Sequence, residues 1–147
     1  DDFTGFVAVT AFLLFVLYFG GLWYATYDYR IQMRDQMVEM YKQLPNPIPP
    51  IEDDYGVHQR WLVFYIDGVK VLNKPQPENV INEYKKALEK EGWATEREYE
   101  HVRNDKNKIY GINMRKGEFI LSVSARENRD SINIHLIKRD WIYNKGF

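Results

Sequence analysis

Residues 3–27, FTGFVAVTAFLLFVLYFGGLWYATY, contain no charged side chain. The hydrocarbon core of a bilayer is about 30 Å thick, and an α-helix crosses it with about 20 apolar residues. A signal-peptide apolar region is shorter, about 7–15 residues, and ends in small residues, whereas this run ends in aromatic ones. We therefore expect residues 1–27 to form a single-pass transmembrane anchor, with the lipid bilayer as its first partner.

The end of this run has the composition of a membrane interface. Aromatic rings and positive charges concentrate where lipid headgroups meet water. We assign this interfacial position to Trp23, Tyr24, Tyr27 and Arg30, and we expect Arg30 to extend into water.

The orientation of the anchor is predicted from the charges that flank it. Asp1 and Asp2 precede the run, and Arg30 and Arg34 follow it, so the positive-inside rule alone would place the rest of the chain in the cytoplasm. Because the sequence does not begin with Met, we expect upstream residues whose charges also count. Proteins with one N-terminal anchor commonly export the domain that follows, and we expect an extracytoplasmic domain.

The overall composition excludes several classes of function. The chain has 147 residues, a net charge of -1 and no cysteine. A nearly neutral chain without a basic block is not typical of nucleic-acid binding. Without cysteine it has no disulfide, no thiolate metal site and no cysteine nucleophile. Residues 51–147 are sufficient for one small domain with a single core.

A second helix is predicted between the anchor and the proline-rich segment PNPIPP at 45–50. Residues 28–44 contain neither Gly nor Pro, and one helical face carries Met33, Met37, Met40 and Leu44 at spacings of four, three and four residues. We call these four residues the Met stripe. The chain is thus divided into an anchor at 1–27, an amphipathic stalk and linker at 28–50, and a domain at 51–147.

The Met stripe has two interpretations. It could pack on the protein's own domain, or it could form a seam for a partner helix, since Met adapts to varied surfaces. A proline-rich linker is stiff and extended, which favours a domain held away from the stripe. We therefore predict a partner seam there, and a second contact at Gly20–Gly21, where another helix can approach closely. A fragment beginning at Ile51 is then expected to fold alone.

The domain is predicted to be α+β. WLVFYI at 61–66 indicates a buried strand, Asp67-Gly68 a two-residue hairpin turn, and residues 69–72 the return strand. A helix follows, with Pro77 in its first turn and Gly92 at its end. Its apolar face consists of Val80, Ile81, Tyr84, Ala87 and Leu88. The remainder alternates as an antiparallel meander, so we expect a two-layer domain with an antiparallel sheet covered by one helix.

The sequence contains no recognisable catalytic or metal-binding pattern. His58, His101 and His135 are far apart in sequence and lack metal-ligand spacing, so we interpret them as surface residues. No serine lies in a nucleophile elbow, and there is no phosphate-binding glycine loop. We expect neither an enzyme nor a bound cofactor or metal.

Two resemblances to known families point to a bacterial cell envelope. NEYKKALEKEGW at 82–93 resembles the helix of small bacterial membrane-anchored or lipoprotein-type domains of unassigned role, although here a helix replaces the lipidated cysteine. The order of an apolar helix, an amphipathic helix and an antiparallel sheet looks like a type IV pilin or pseudopilin. The acidic residue that pilins carry five positions into the mature helix is absent, since counting from Phe3 reaches Val7.

Together these features favour an accessory or assembly subunit of a larger membrane complex that acts by protein–protein contact. An extracytoplasmic domain that binds or senses a small ligand is the first alternative, and a cavity with a few convergent polar groups would favour it. A pilin-like filament subunit is the second alternative.

Overall fold

The computed structural model describes residues 2–145, which form two consecutive helices followed by a six-stranded sheet, a helix packed on it and a short terminal helix. The helices are α1 (Asp2–Ala25), α2 (Tyr27–Lys42), α3 (Pro77–Lys90) and α4 (Trp141–Asn144). The strands are β1 (Glu52–Arg60), β2 (Val63–Val71), β3 (Ala94–Val102), β4 (Lys108–Lys116), β5 (Phe119–Arg126) and β6 (Ser131–Lys138).

All neighbouring strands of the sheet are antiparallel, in the order β1-β2-β6-β5-β4-β3. The α+β prediction is confirmed, and the β1–β2 hairpin joins the meander through β6, so all six strands form one sheet. The two edge strands, EDDYGVHQR and ATEREYEHV, are mostly exposed and carry many charges. Charged edges resist pairing with a second chain.

Helix α3 covers one face of the sheet as predicted. Val80, Ile81, Tyr84 and Leu88 are buried in the main core. Gly92 ends the helix with a φ of +86°, which glycine adopts without steric penalty. The backbone N–H of Trp93 then donates to the carbonyl of Leu88 at 3.0 Å, and its buried ring closes the end of the core.

Helix α2 packs on the same face, so the prediction that the proline-rich linker holds the domain away from the Met stripe is wrong. Met33, Met37 and Leu44 are buried in the main core, and Met40 packs partly buried against it. The segment after α2 reverses the chain instead of extending it. The rings of Tyr41 and Tyr55 are 4.8 Å apart, so the first residues of β1 lie beside the end of α2.

The predicted hairpin turn is also wrong, because Asp67 and Gly68 lie in the middle of β2. The chain turns at Trp61–Leu62, and Arg60 pairs with Val63 on either side of them. Gly68 serves a different purpose, since a Cβ at this position would lie 1.9 Å from the hydroxyl oxygen of Tyr41. The glycine thus lets α2 approach the sheet closely.

Candidate functional site at the junction of helix and sheet

A second apolar cluster joins the end of α1 to the domain. Leu62, Val63 and Ile142 are buried in it, and four partly buried residues pack against them: Leu22, Tyr29, Ile137 and Tyr143. We call this group the junction cluster. It combines α1, α2, the β1–β2 turn, β6 and α4, so the domain contacts the first helix directly as well as through the chain.

Trp61 forms the tip of the β1–β2 hairpin and lies against α1. Its ring centroid is 5.7 Å from that of Phe19 and 5.6 Å from that of Trp23. Its φ of 54° places a bulky residue in the left-handed region, where this kind of turn prefers glycine. Such strain is commonly retained where the side chain has a function. The sequence predicts Trp61 inside a strand, and nothing in its pattern indicates this contact with α1.

Arg30 of α2 is buried against the last turn of α1. Its side chain is only 5% exposed, so the expectation that it extends into water is wrong. The guanidinium lies 3.6 Å from the ring centroid of Trp23, and Nη2 donates to the Trp23 carbonyl at 2.9 Å. This carbonyl belongs to the last turn of α1, where helical acceptors lack intrahelical donors. Arg30 therefore satisfies a backbone carbonyl at the break between α1 and α2, which lies at Thr26.

Asp140 fixes the last helix at the same junction. Its carboxylate accepts from the backbone N–H groups of Ile142 at 3.0 Å and Tyr143 at 3.1 Å, an N-cap for α4. The hydroxyl of Tyr29 also donates to this carboxylate. Burial, and then the hydrogen bond with Asp140, raise the pKa of Tyr29 well above its ordinary value. Tyr29 thus stays neutral and links α2 to α4.

The sheet face opposite α2 and α3, here called the outer face, carries a histidine–aspartate group that the sequence did not reveal. The Asp67 carboxylate lies 2.6 Å from Nδ1 of His135 and 3.8 Å from Nε2 of His58. Tyr65 stacks on the His58 ring at 5.1 Å and lies 5.5 Å from His135. Residues that are far apart in sequence meet here because β1, β2 and β6 are neighbours in the sheet.

An open cleft of ≈ 920 Å³ separates α1 from this part of the outer face. Its lining consists of Phe15, Phe19, Arg60, Trp61, Val63, Tyr65, His135, Ile137 and Tyr143. We call it the junction cleft. It is apolar on the α1 side, with a cation, an imidazole and two phenols on the other side. Its volume falls within the range of about 300–1,000 Å³ that is usual for ligand sites.

Helix α1 otherwise makes little contact with the rest of the chain. Residues Phe3–Ala25 have a mean hydropathy of 2.2, and this helix is long and apolar enough to span a membrane. Trp23, Tyr24 and Tyr27 are 40%, 85% and 54% exposed, and their interfacial position stays a prediction. A Cβ added at Gly20 or Gly21 would meet nothing within 4 Å, so both positions are accessible to another helix, and the contact there stays a prediction.

Among residues 2–145, no group of three or more His, Cys, Asp or Glu side chains is placed to hold a metal ion. Comparisons with protein-family models, curated proteins and solved structures found no match to this chain.

Proposed function

We propose that this protein is a single-pass, membrane-anchored accessory subunit of a larger membrane complex, acting by protein–protein contact with its domain on the extracytoplasmic side. The observation that supports this proposal is the junction cluster. Leu22 of α1 packs with Leu62, Val63 and Ile142 of the domain, so the domain has a fixed position at one end of the apolar helix. A domain held in this way presents one defined surface to a neighbouring subunit.

The side of α1 that faces away from the domain is the proposed contact for a neighbouring transmembrane helix. At about 100° per residue, Gly21 lies roughly 160–200° around the helix from Phe19 and Trp23, which contact Trp61. A second helix can approach at Gly21 without displacing the hairpin. Close approach at small residues is what stabilises helix pairs in lipid.

The Met stripe is no longer part of the proposed contact surface. Met33, Met37 and Leu44 are buried against the sheet and only Met40 is partly exposed, so the proposal depends on Gly20, Gly21 and the exposed part of the outer face.

The proposal is tested by native electrophoresis of membranes that express the full chain. We expect the wild type to migrate in a complex and Gly21→Ile to migrate as the free protein, because the added side chain blocks close approach. Gly5→Ile is the matched control, since Gly5 is also on α1 and equally unobstructed. A wild type that migrates alone, or a Gly5→Ile variant that loses the complex equally, would contradict the proposal.

The alternative of a ligand-binding domain is favoured by one specific observation, the junction cleft with its apolar wall and convergent polar groups. The two functions are compatible, because the cleft and Gly21 lie on different sides of α1. The pilin-like filament remains a prediction without a further observation in its favour.

A further inference from the structure

The junction cleft has walls of different character. Phe15 and Phe19 of α1 form one wall, and the sheet contributes Val63 and Ile137 together with Arg60. At about 1.5 Å per residue, Phe15 and Phe19 lie roughly 15 and 9 Å before the end of α1 at Ala25. If α1 spans the bilayer, as the proposed function holds, these rings lie at the depth of the acyl chains of one leaflet. The cleft is then continuous with that leaflet.

The polar side of the cleft carries positive charge. Within residues 2–145, no carboxylate lies within 4.0 Å of the guanidinium of Arg60. A guanidinium matches the geometry of a phosphate, to which it donates two parallel hydrogen bonds. The described lining residues include no Asp or Glu, although Asp67 lies just behind His135 and is hydrogen-bonded to it.

Asp67 also sets the orientation of His135. A carboxylate only accepts hydrogen bonds, so Nδ1 of His135 carries the hydrogen that it shares with Asp67 at 2.6 Å. The second ring nitrogen, Nε2, is then left for another partner, and Tyr65 supplies a hydroxyl nearby. The polar end therefore combines a permanent cation with two groups that can hydrogen-bond to a lipid headgroup.

We infer that the junction cleft binds an anionic phospholipid of the surrounding leaflet, with an acyl chain against Phe15, Phe19 and Trp61 and the headgroup phosphate at Arg60. Trp61 connects the apolar wall of the cleft with its polar side, because it lies against α1 and follows Arg60 in the chain. This role accounts for a tryptophan where the turn prefers glycine. The inference rests on the membrane anchoring in the proposed function, but not on the protein–protein contact.

The headgroup part is tested by lipid retention. The full chain is reconstituted in vesicles of phosphatidylcholine with a minor fraction of phosphatidylglycerol, extracted in mild detergent, and its bound lipid is measured by mass spectrometry. We expect phosphatidylglycerol to be enriched about fivefold over the bulk ratio, the effect of one well-placed cation. Arg60→Gln should return the bound lipid to the bulk ratio.

Arg126→Gln is the matched control, because Arg126 is also on the outer face but at the far end of β5. It should retain the enrichment, and equal melting temperatures of the two variants would show that both are folded. No enrichment in the wild type, or an equal loss in both variants, would overturn the inference.

The acyl-chain part is tested by fluorescence quenching with phospholipids brominated on their acyl chains. Trp23→Phe with Trp141→Phe leaves Trp61 and Trp93, and Trp93 is buried in the main core. We expect strong quenching in this variant and very little after the further change Trp61→Phe. Equal quenching of both variants would overturn the placement of Trp61 in lipid.

The two proposals fail separately in these experiments. A protein that migrates in a complex but shows no lipid enrichment contradicts only the lipid site. A protein that migrates alone but retains phosphatidylglycerol through Arg60 contradicts only the accessory-subunit proposal.

Discussion

Helices α2 and α3 lie side by side on one sheet face, yet the sequence predicted the packing of only one of them. Both have an apolar stripe, and both stripes are buried in the same core. The stripe of α3 could pack only on the strands around it, because the helix is joined to β2 and β3 by short connections. Helix α2 follows a membrane-like helix and precedes a proline-rich segment, so its sequence allowed an internal or an external partner.

The difference shows that a stripe identifies a buried face without identifying what covers it. The prolines of PNPIPP predict a spacer, because proline stiffens a chain. In the structure it forms part of a reversal, after which the backbone N–H of Ile51 donates to the carbonyl of Val71 at 2.7 Å. The stiffness of the proline segment does not determine the direction in which the chain continues. The pairing of β1 with β2 returns the chain to the sheet, and α2 lies on the same sheet.

Truncation should give the largest effect. A fragment that begins at Ile51 lacks α2 and exposes the core surface that Met33, Met37 and Tyr41 cover. We expect it to aggregate or to show no cooperative unfolding, whereas a fragment that begins at Tyr27 should unfold in one transition. Circular dichroism during thermal denaturation measures both. A folded Ile51 fragment would contradict this expectation and would show that the domain is independent of α2.

Single truncations of core side chains should affect the two helices equally. Met37 of α2 and Leu88 of α3 are 0% and 1% exposed. Met37→Ala and Leu88→Ala should each lower the free energy of unfolding by about 2–5 kcal/mol, because each leaves a cavity. Urea denaturation of the full chain in detergent provides the measurement. If Met37→Ala costs less than about 0.5 kcal/mol while Leu88→Ala has its full effect, α2 is not part of the core.

Gly68 tests how tightly α2 lies on the sheet, and Gly111, which contacts β3, provides the comparison. Gly68→Ala would place a Cβ 1.9 Å from Tyr41 Oη, and Tyr41 is buried, so we expect a cost of about 1–3 kcal/mol. Gly111→Ala would bring a Cβ to 2.1 Å from Tyr99, which is only partly buried on the edge strand and can rotate outward. The Gly111 variant should therefore lose less stability in the same measurement. A larger loss of stability for Gly111→Ala than for Gly68→Ala would mean that the contact with Tyr99 on β3 is the more rigid one.

The tyrosine hydroxyls of the two helices should give the smallest effect. Among the described residues, Tyr84 Oη is buried without a hydrogen-bond partner, so Tyr84→Phe should leave stability at pH 7 unchanged or raise it by up to about 1 kcal/mol. Tyr41 Oη lies 3.5 Å from Oδ1 of Asp53, and Tyr41→Phe should cost a few tenths of a kcal/mol, roughly the value of a weak hydrogen bond. If Tyr84→Phe costs as much stability as Tyr41→Phe, the hydroxyl of Tyr84 has a hydrogen-bond partner.

The same two residues predict a loss of stability in alkali. Burial, as the largest cause, raises the pKa of Tyr41 and Tyr84 well above the ordinary tyrosine value of 10.0. The unfolded chain then loses these protons at lower pH than the folded chain, so stability is complete below about pH 10 and falls above it. Tyr84→Phe should reduce the fall between pH 10 and 11, measured by urea denaturation at each pH.

The sequence determined the elements whose signals are local. The length and composition of residues 3–27 predicted a helix able to cross a membrane, and Gly92 predicted the end of α3. The alternation in the last part of the chain predicted an antiparallel meander, and in β5 and β6 the alternating residues Leu121, Val123 and Ile134 lie in the core. Each of these depends on spacing along the chain, which does not change on folding.

Only the tertiary structure decided which distant residues meet. The Asp67-Gly68 pair has the composition of a turn, but a close contact with Tyr41 explains the glycine equally well, and the sequence cannot distinguish the two reasons. His58, Asp67 and His135 come together because β1, β2 and β6 are adjacent, and Trp61 reaches Phe19 because the hairpin ends at the helix junction. Spacing along the chain fixes the side of an element on which a residue lies, whereas strand order and register fix its neighbours.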